Sequence, residues 1–215
     1  MIRFIFVFFL INCQVAFAFN VGPLVTNLDS EIGFISKMVS NESQSRKAYQ
    51  IKVYEIGKPG KDEKPIKDNI NELRYSPKTF FLSANSHKYI SFYYRGNKNK
   101  EKYYRVIFSE LSTSILKKSI EMSIVTEINT ILIVLPENKR LKYDIDYENG
   151  KIINSGNVYF ELLLKKKCDS KDSDSFSRFL LPDDYFEINV NKKIVIIKYN
   201  GRYIDPQGVC SNEKE

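Results

Sequence analysis

Thirty-three lysines and arginines, 26 aspartates and glutamates, 14 tyrosines, one histidine and three cysteines are the ionisable side chains of this 215-residue chain. Any Ser-His-Asp or Cys-His arrangement would have to use His87, which sits in the polar stretch Asn85-Ser86-His87-Lys88 and reads as a surface turn residue. Zinc sites built from histidine pairs or cysteine quartets lack their ligands. Asp169, Asp172, Asp174, Asp183 and Asp184 form an acidic stretch. It lacks the Gly and Glu placement of a calcium-binding EF-hand loop, so a solvated acidic loop is expected. Neither G-x-G-x-x-G nor G-x-x-x-x-G-K-[ST] occurs. The expectation is a protein without metal or cofactor that is not an enzyme. An exported enzyme, the rival class, would need a catalytic set that the single His and scattered acids do not supply.

The formal net charge is +7. Its lysines are spread over turns rather than gathered on one stripe, which argues against nucleic acid as a partner.

Residues 1–18 look like an export signal. Arg3 gives a positive start, Ile5 to Ile11 is an unbroken apolar run, and Ala16-Phe17-Ala18 is a small-x-small cleavage pattern. The run is short for a span of ~30 Å of hydrocarbon, so stable membrane insertion is not expected. Cleavage after Ala18 would remove Cys13 and leave Cys168 and Cys210, an even pair in a compartment where disulfides persist. A bridge between them is expected, with two unpaired thiols as the alternative.

The mature chain punctuates like an all-β protein. Short runs rich in Tyr, Ile, Val and Phe alternate with Asn, Gly, Ser, Asp and Lys clusters. Phe34 to Val39 is a first strand. In Ala48 to Ile56, Tyr49, Ile51 and Val53 share one face, the period-two pattern of a half-buried strand. Leu73 to Leu82 contains Pro77, which fits a sheet edge or a strand start. Lys88 to Arg95 and Lys102 to Leu111 follow, with residues 96–102 expected as a solvated hairpin loop between them.

Residues 115–135 are the longest β-rich stretch. Ile120, Met122, Ile124, Ile128, Leu132 and Val134 share one parity. A helical pattern also scores, but β-branched content and strict alternation favour strand. Pro136 ends it, and residues 137–140 read as a linker. A second module then has strands over Leu141 to Tyr147, Val158 to Leu164, Tyr185 to Val190 and Ile194 to Tyr199. Turn signals fall at Asn149-Gly150, Ser155-Gly156-Asn157 and Asn200-Gly201. The expected organisation is a signal peptide at 1–18 and two β-sandwiches, at 19–136 and 137–215.

Several blocks, in order, resemble periplasmic chaperones of the chaperone–usher pilus pathway, in the non-classical lineage that contains the common-pilus chaperones. They are Phe19-Asn20-Val21-Gly22, Phe92-Tyr93-Tyr94-Arg95-Gly96 with Glu101-Lys102-Tyr103-Tyr104-Arg105-Val106, and Thr130-Ile131-Leu132-Ile133-Val134 with Pro136. Tyr147-Glu148-Asn149-Gly150 and Asn154-Ser155-Gly156-Asn157 complete the set. The resemblance implies two immunoglobulin-like domains set in an L and a periplasmic location. It also implies pilus subunits and an outer-membrane usher as partners. The chaperone lends the subunit a strand that its own sandwich lacks, in donor-strand complementation.

A donor strand offers backbone hydrogen bonds along one edge and apolar side chains at every second position. Ile120, Met122 and Ile124, extended by Thr126 and Ile128, are the expected donor row. Leu132 and Val134, near the junction, are expected in the first core. An exposed apolar edge invites aggregation, so self-association of the free chain or a loop over 112–121 must cover it.

In one branch of the family, an Arg on the first strand and a Lys five residues before the proline hold the subunit's terminal carboxylate. Here residues 19–36 contain no Lys or Arg, and Ile131 stands where that Lys would be. Arg105 is the first candidate substitute and Arg95 the second, with surface ion pairing as the alternative for both. A secreted structural pilin or adhesin is the other rival, but it would not need the 137–215 module.

Overall fold

A computed structural model of the chain describes residues 19–60, 63–67, 71–111, 126–188 and 193–210. The export segment 1–18 and the expected donor positions Ile120, Met122 and Ile124 lie outside the described residues. The first strands are β1 (Phe19–Asn20), β2 (Val25–Asp29), β3 (Phe34–Asn41), β4 (Lys47–Ile56) and β5 (Pro65–Lys67). They are followed by β6 (Leu73–Ser76), β7 (Thr79–Leu82), β8 (Ser86–Tyr94), β9 (Lys102–Leu111) and β10 (Glu127–Leu135). Beyond Pro136 come β11 (Tyr143–Asp146), β12 (Lys151–Asn154), β13 (Phe160–Lys165) and β14 (Phe176–Leu180). β15 (Tyr185–Glu187), β16 (Ile194–Tyr199) and β17 (Arg202–Ile204) close the chain.

The alternating residues of β4 and β9 put one apolar row inward. Tyr49, Ile51 and Val53 are buried with Tyr104, Val106 and Phe108, whereas Lys52 is exposed. Two sheets meet over that row. One has the order β1-β3-β8-β6; the other runs β2-β10-β9-β4, with β4 pairing β7 at its start and β5 at its end. Val39, Ile90 and Phe92 of the first sheet pack on Tyr104, Leu132 and Val134 of the second. After Pro136 the pattern repeats with a sheet β11-β12-β15 facing a sheet β14-β13-β16-β17. Their core holds Ile152, Phe160, Leu162, Leu180, Val195 and Ile197.

Three sequence expectations change. The stretch Leu73 to Leu82 is two strands in different sheets, β6 and β7, with a cis peptide at Ser76-Pro77 between them. Residues 96–102 are not a hairpin loop, because β8 and β9 belong to opposite sheets and the segment crosses between them. His87 lies in β8 rather than in a turn; it is exposed and meets Tyr89 edge-on.

The N-terminal segment serves both sheets. β1 pairs antiparallel with β3, and β2 pairs parallel with β10, so the chain changes sheets over Val21–Leu24. Gly22 permits the crossing: its φ is +66°, a conformation that a Cβ disfavours. The Asn20 side chain accepts the Gly22 N–H at 2.8 Å and holds the bend.

Candidate functional site

β10 is the strand that the sequence singled out, and its two edges differ. One edge is paired with β9 from Glu127 to Val134. On the other, β2 covers only Ile131 to Leu135. Ile131 donates its N–H to the Leu24 carbonyl at 2.8 Å, and there the cover stops. Among the described residues, Glu127 to Thr130 have no strand on that edge. Open backbone N–H and C=O groups of this kind accept an added strand.

Parity fixes what β10 shows to each side. Thr130, Leu132 and Val134 are buried toward the first core, and half-buried Ile128 packs against that core. Thr126 is exposed, and its carbonyl accepts the Glu110 N–H at 2.8 Å. Glu127 and Asn129 point the other way and are exposed. Farther along that outer face, Ile131 and Ile133 pack with Tyr103, Ile56, Tyr159 and Leu181, joining the two sandwiches through an apolar contact.

A cleft of about 490 Å³ opens beside this contact, lined by Val25, Arg105, Ile131, Ile133, Tyr159 and Leu181 among others. Arg105 sits on β9 directly across from Ile131, which is how β-pairing brings it to the site. Its guanidinium is gripped at both ends by Glu63. The Nε–Oε1 distance is 3.0 Å, and Nη2 pairs with Oε2. Both side chains are largely buried, which makes this a stronger pair than a surface one. Arg178 borders the same cleft, but its guanidinium carbon lies 5.0 Å from the Phe186 ring centroid. Arg95 is not brought to the cleft. It is exposed after the end of β8, where its N–H donates to the Glu72 carbonyl.

Two further residues matter here that sequence reasoning passed over. Glu101, only 7 % exposed, accepts the Tyr103 hydroxyl at 2.6 Å and the backbone N–H of Tyr159 at 2.7 Å. Burial pushes its carboxyl up to about 6, against those two hydrogen bonds. Its polar neighbours in residues 96–102 give no sign of its burial. Lys37 lies on the inward parity of β3, between Ile35 and Val39. Its ammonium donates to the Pro23 carbonyl and, at 3.1 Å, to the Thr26 hydroxyl. Desolvation lowers its pKa to about 8. The signal for it was present in the sequence as a charge on the same parity as Ile35 and Val39.

Polar contacts also span the two sandwiches. Tyr159 donates to the Asn27 side chain, and Lys58 reaches both Asp184 and the Pro182 carbonyl at 2.5 Å. At the far end, Cys168 and Cys210 form a disulfide with Cα atoms 5.4 Å apart. In the acidic stretch, Asp172 is held by Lys165, Lys198 and Tyr203. The Tyr203 hydrogen bond and then the lysines lower its carboxyl to about 2.

No protein-family model matches the chain. It is 36 % identical over 174 residues to the probable fimbrial chaperone EcpE of Escherichia coli O157:H7, covering 78 % of this chain and 74 % of that one. Among solved structures it resembles the class 5 fimbriae chaperone CfaA, with a TM-score of 0.62 at 22 % identity over 88 % of this chain and 95 % of that one. It also resembles the SafB chaperone, solved in complex with the Salmonella enterica SafA pilin. There the TM-score is 0.56 at 14 % identity, over 90 % of this chain and 98 % of that one.

Proposed function

The chain belongs to the fimbrial chaperones of the chaperone–usher pathway, a non-enzymatic family of two-domain immunoglobulin-like proteins, and from that premise we propose how it handles a pilus subunit. It binds the subunit by donating the strand that leads into β10, and then passes it to an outer-membrane usher. It works in the periplasm after cleavage behind Ala18, as two domains, 19–136 and 137–215. It binds neither nucleic acid nor cofactor.

The observation that carries this reading is the half-covered edge of β10. β2 seals Ile131–Leu135, while among the described residues no strand lies beside Glu127–Thr130, which continue in sequence from the segment bearing Ile120, Met122 and Ile124. Added backbone hydrogen bonds supply affinity that tolerates differences in sequence, and the alternating apolar side chains fill the subunit's groove. Each fully buried side chain is worth ~1.5–3 kcal/mol before ordering costs. The subunit's terminal carboxylate then needs a cation. Arg105 faces the cleft beside Ile131 and serves once Glu63 has moved aside. Arg95 is the second candidate.

The experiment is periplasmic co-expression with the pilin-like proteins encoded beside this chain. A soluble one-to-one complex is expected with the intact chaperone, and Ile124→Asp is expected to lose it while the chaperone still folds. Undiminished binding by that variant would remove Ile124 from the donor row. Fibres formed by the chain alone would favour a structural pilin.

A further inference from the structure

The sheet β1-β3-β8-β6 packs one parity into the first core and turns the other outward. On the outward side, Phe34, Tyr93 and Arg74 stand side by side across β3, β8 and β6. Four residues along, about 13 Å away, Met38 of β3 lies opposite Tyr89 of β8. Between the two rows the Ser36 and Ser91 hydroxyls meet at 3.2 Å. The rings of Phe34 and Tyr93 are 5.0 Å apart. Phe34, Met38, Tyr89 and Tyr93 are nonetheless 42–58 % exposed. The parity that carries them holds no Asp, Glu or Lys in β3, β6 or β8. An open sheet face is normally the charged side of a half-buried strand, so large apolar side chains gathered there mark a contact surface.

The charges around this face are of one kind. Arg74 lies within it, Lys88 is next to Tyr89, and Arg95 is two residues beyond Tyr93. All three are exposed, and among the described residues none of them is in an ion pair. The acids that flank the strands are set differently. Glu42 accepts hydrogen bonds from Asn20 and Ser40, Glu72 is paired with Lys102, and Glu31 sits in the turn before β3. The whole chain carries +7. The face is therefore apolar and aromatic along its strands and carries unpaired cations. Its complement is a broad partner with an apolar layer under an anionic one. Two aromatic rows about 13 Å apart suit an extended plane better than a single small anion.

We infer that the outer face of β3, β6 and β8 docks on a lipid surface bearing anionic headgroups. Phe34, Met38, Tyr89 and Tyr93 enter at headgroup depth, where aromatic side chains are favoured. Arg74 and Lys88 reach the lipid phosphates, each adding electrostatic attraction that salt screens. The contact is peripheral: among the described residues no helix is long and apolar enough to cross a membrane. The docking face belongs to the sheet opposite β10. A docked chain is thus held at a membrane surface without occupying the edge proposed for the subunit.

The test is co-flotation with vesicles. The chain is purified from a periplasmic extract, and its mass is checked so that the apolar export segment plays no part. One set of vesicles is phosphatidylglycerol with phosphatidylethanolamine, the other phosphatidylcholine alone. Wild type is expected to float with the anionic set, less so at high salt, and to stay behind with the neutral one. Phe34→Ser with Tyr93→Ser should weaken binding about tenfold or more. Arg74→Ser with Lys88→Ser should weaken it about fivefold for each cation removed. Lys166→Ser with Lys167→Ser, which removes the same charge from an exposed stretch of the second sandwich, should change it less than twofold. Melting of each variant checks that it is folded, and the Arg74 and Lys88 pair carries the test if the aromatic pair is not. Failure of wild type to float, equal binding to neutral vesicles, or equal losses from the Lys166 and Lys167 pair would each overturn the inference. So would a wild-type dimer in sedimentation that the aromatic variant loses while vesicle binding is unchanged, since the face would then belong to a second copy.

Discussion

Glu101 of the first sandwich accepts the backbone N–H of Tyr159 in the second at 2.7 Å, so a nearly buried carboxylate ties one half of the molecule to the other. Tyr103, on the strand that Glu101 leads into, donates its hydroxyl to the same carboxylate. Tyr103 and Tyr159 also belong to the apolar contact that joins the sandwiches. Polar and apolar contacts at the junction thus share residues, and the charge on Glu101 bears on the whole junction.

That charge is expected to make stability pH-dependent. The folded-state pKa of about 6 lies above the ordinary 4.5. Between these values the folded chain holds a proton that the unfolded chain has released. This group's contribution is therefore full below pH 4.5 and is lost as pH rises through 6. The difference amounts to about 2 kcal/mol. Glu101→Gln keeps a carbonyl acceptor and removes the charge. Denaturant unfolding at pH 4 and pH 7 should show the variant gaining about that much on wild type over the interval. A constant gap would mean that Glu101 is already solvated.

The disulfide closes a long loop, since Cys168 and Cys210 are 42 residues apart. Loop closure of that length is worth about 4 kcal/mol in the chain-entropy account. The joint change Cys168→Ser with Cys210→Ser should cost an amount of that order, and reductant should lower the melting of wild type toward that of the variant. Insensitivity to reductant would show that the tail is held by its other contacts, such as the Cys210 N–H donated to Asp205.

Asn154 is fully buried and serves three backbone groups. Its amide donates to the carbonyls of Val158 and Leu180 at 2.9 and 3.0 Å, and its oxygen accepts the Gly156 N–H. Asn41 does similar work in the first sandwich for Ser45, Leu82 and Ser83. Asn154→Leu leaves those groups unpaired, at about 1–3 kcal/mol each. A loss of roughly 3 kcal/mol or more is expected by denaturant unfolding. A loss below 1 kcal/mol would mean that water replaces the amide.

What was legible in the sequence followed from period-two alternation. β3, β4, β9 and β10 declared themselves because one face is buried and the other wet, as Ile51 and Lys52 illustrate. β1 and β2 did not, since the chain changes sheets at Gly22-Pro23 and leaves Leu24 and Val25 largely exposed. β14 was missed because only Leu180 of its five residues is buried. The 96–102 segment is not legible locally, because β8 and β9 are neighbours in sequence but belong to different sheets. Arg105 could be named from the Tyr-Tyr-Arg block, but its partner Glu63 could not. That contact depends on Glu63, 42 residues away in sequence, coming to lie against β9, and no local pattern encodes it.

Glu63 decides how Arg105 behaves. In the free chain it occupies both ends of the guanidinium that a subunit carboxylate would use. On the proposed role of Arg105, binding exchanges one carboxylate for another. Such an exchange gains little from the pair itself and draws its driving force from the strand contacts. Glu63→Gln weakens the incumbent without adding bulk. It should tighten the subunit complex several-fold while lowering the melting of the free chaperone, because a largely buried Arg105 loses its partner. Arg105→Ala should weaken the complex. Titration calorimetry on purified subunit complexes, with melting of the free variants alongside, separates the two effects. Should Glu63→Gln weaken the complex instead, Glu63 is a support that shapes the cleft and not a competitor for its cation. The subunit's carboxylate would then have to find its charge elsewhere.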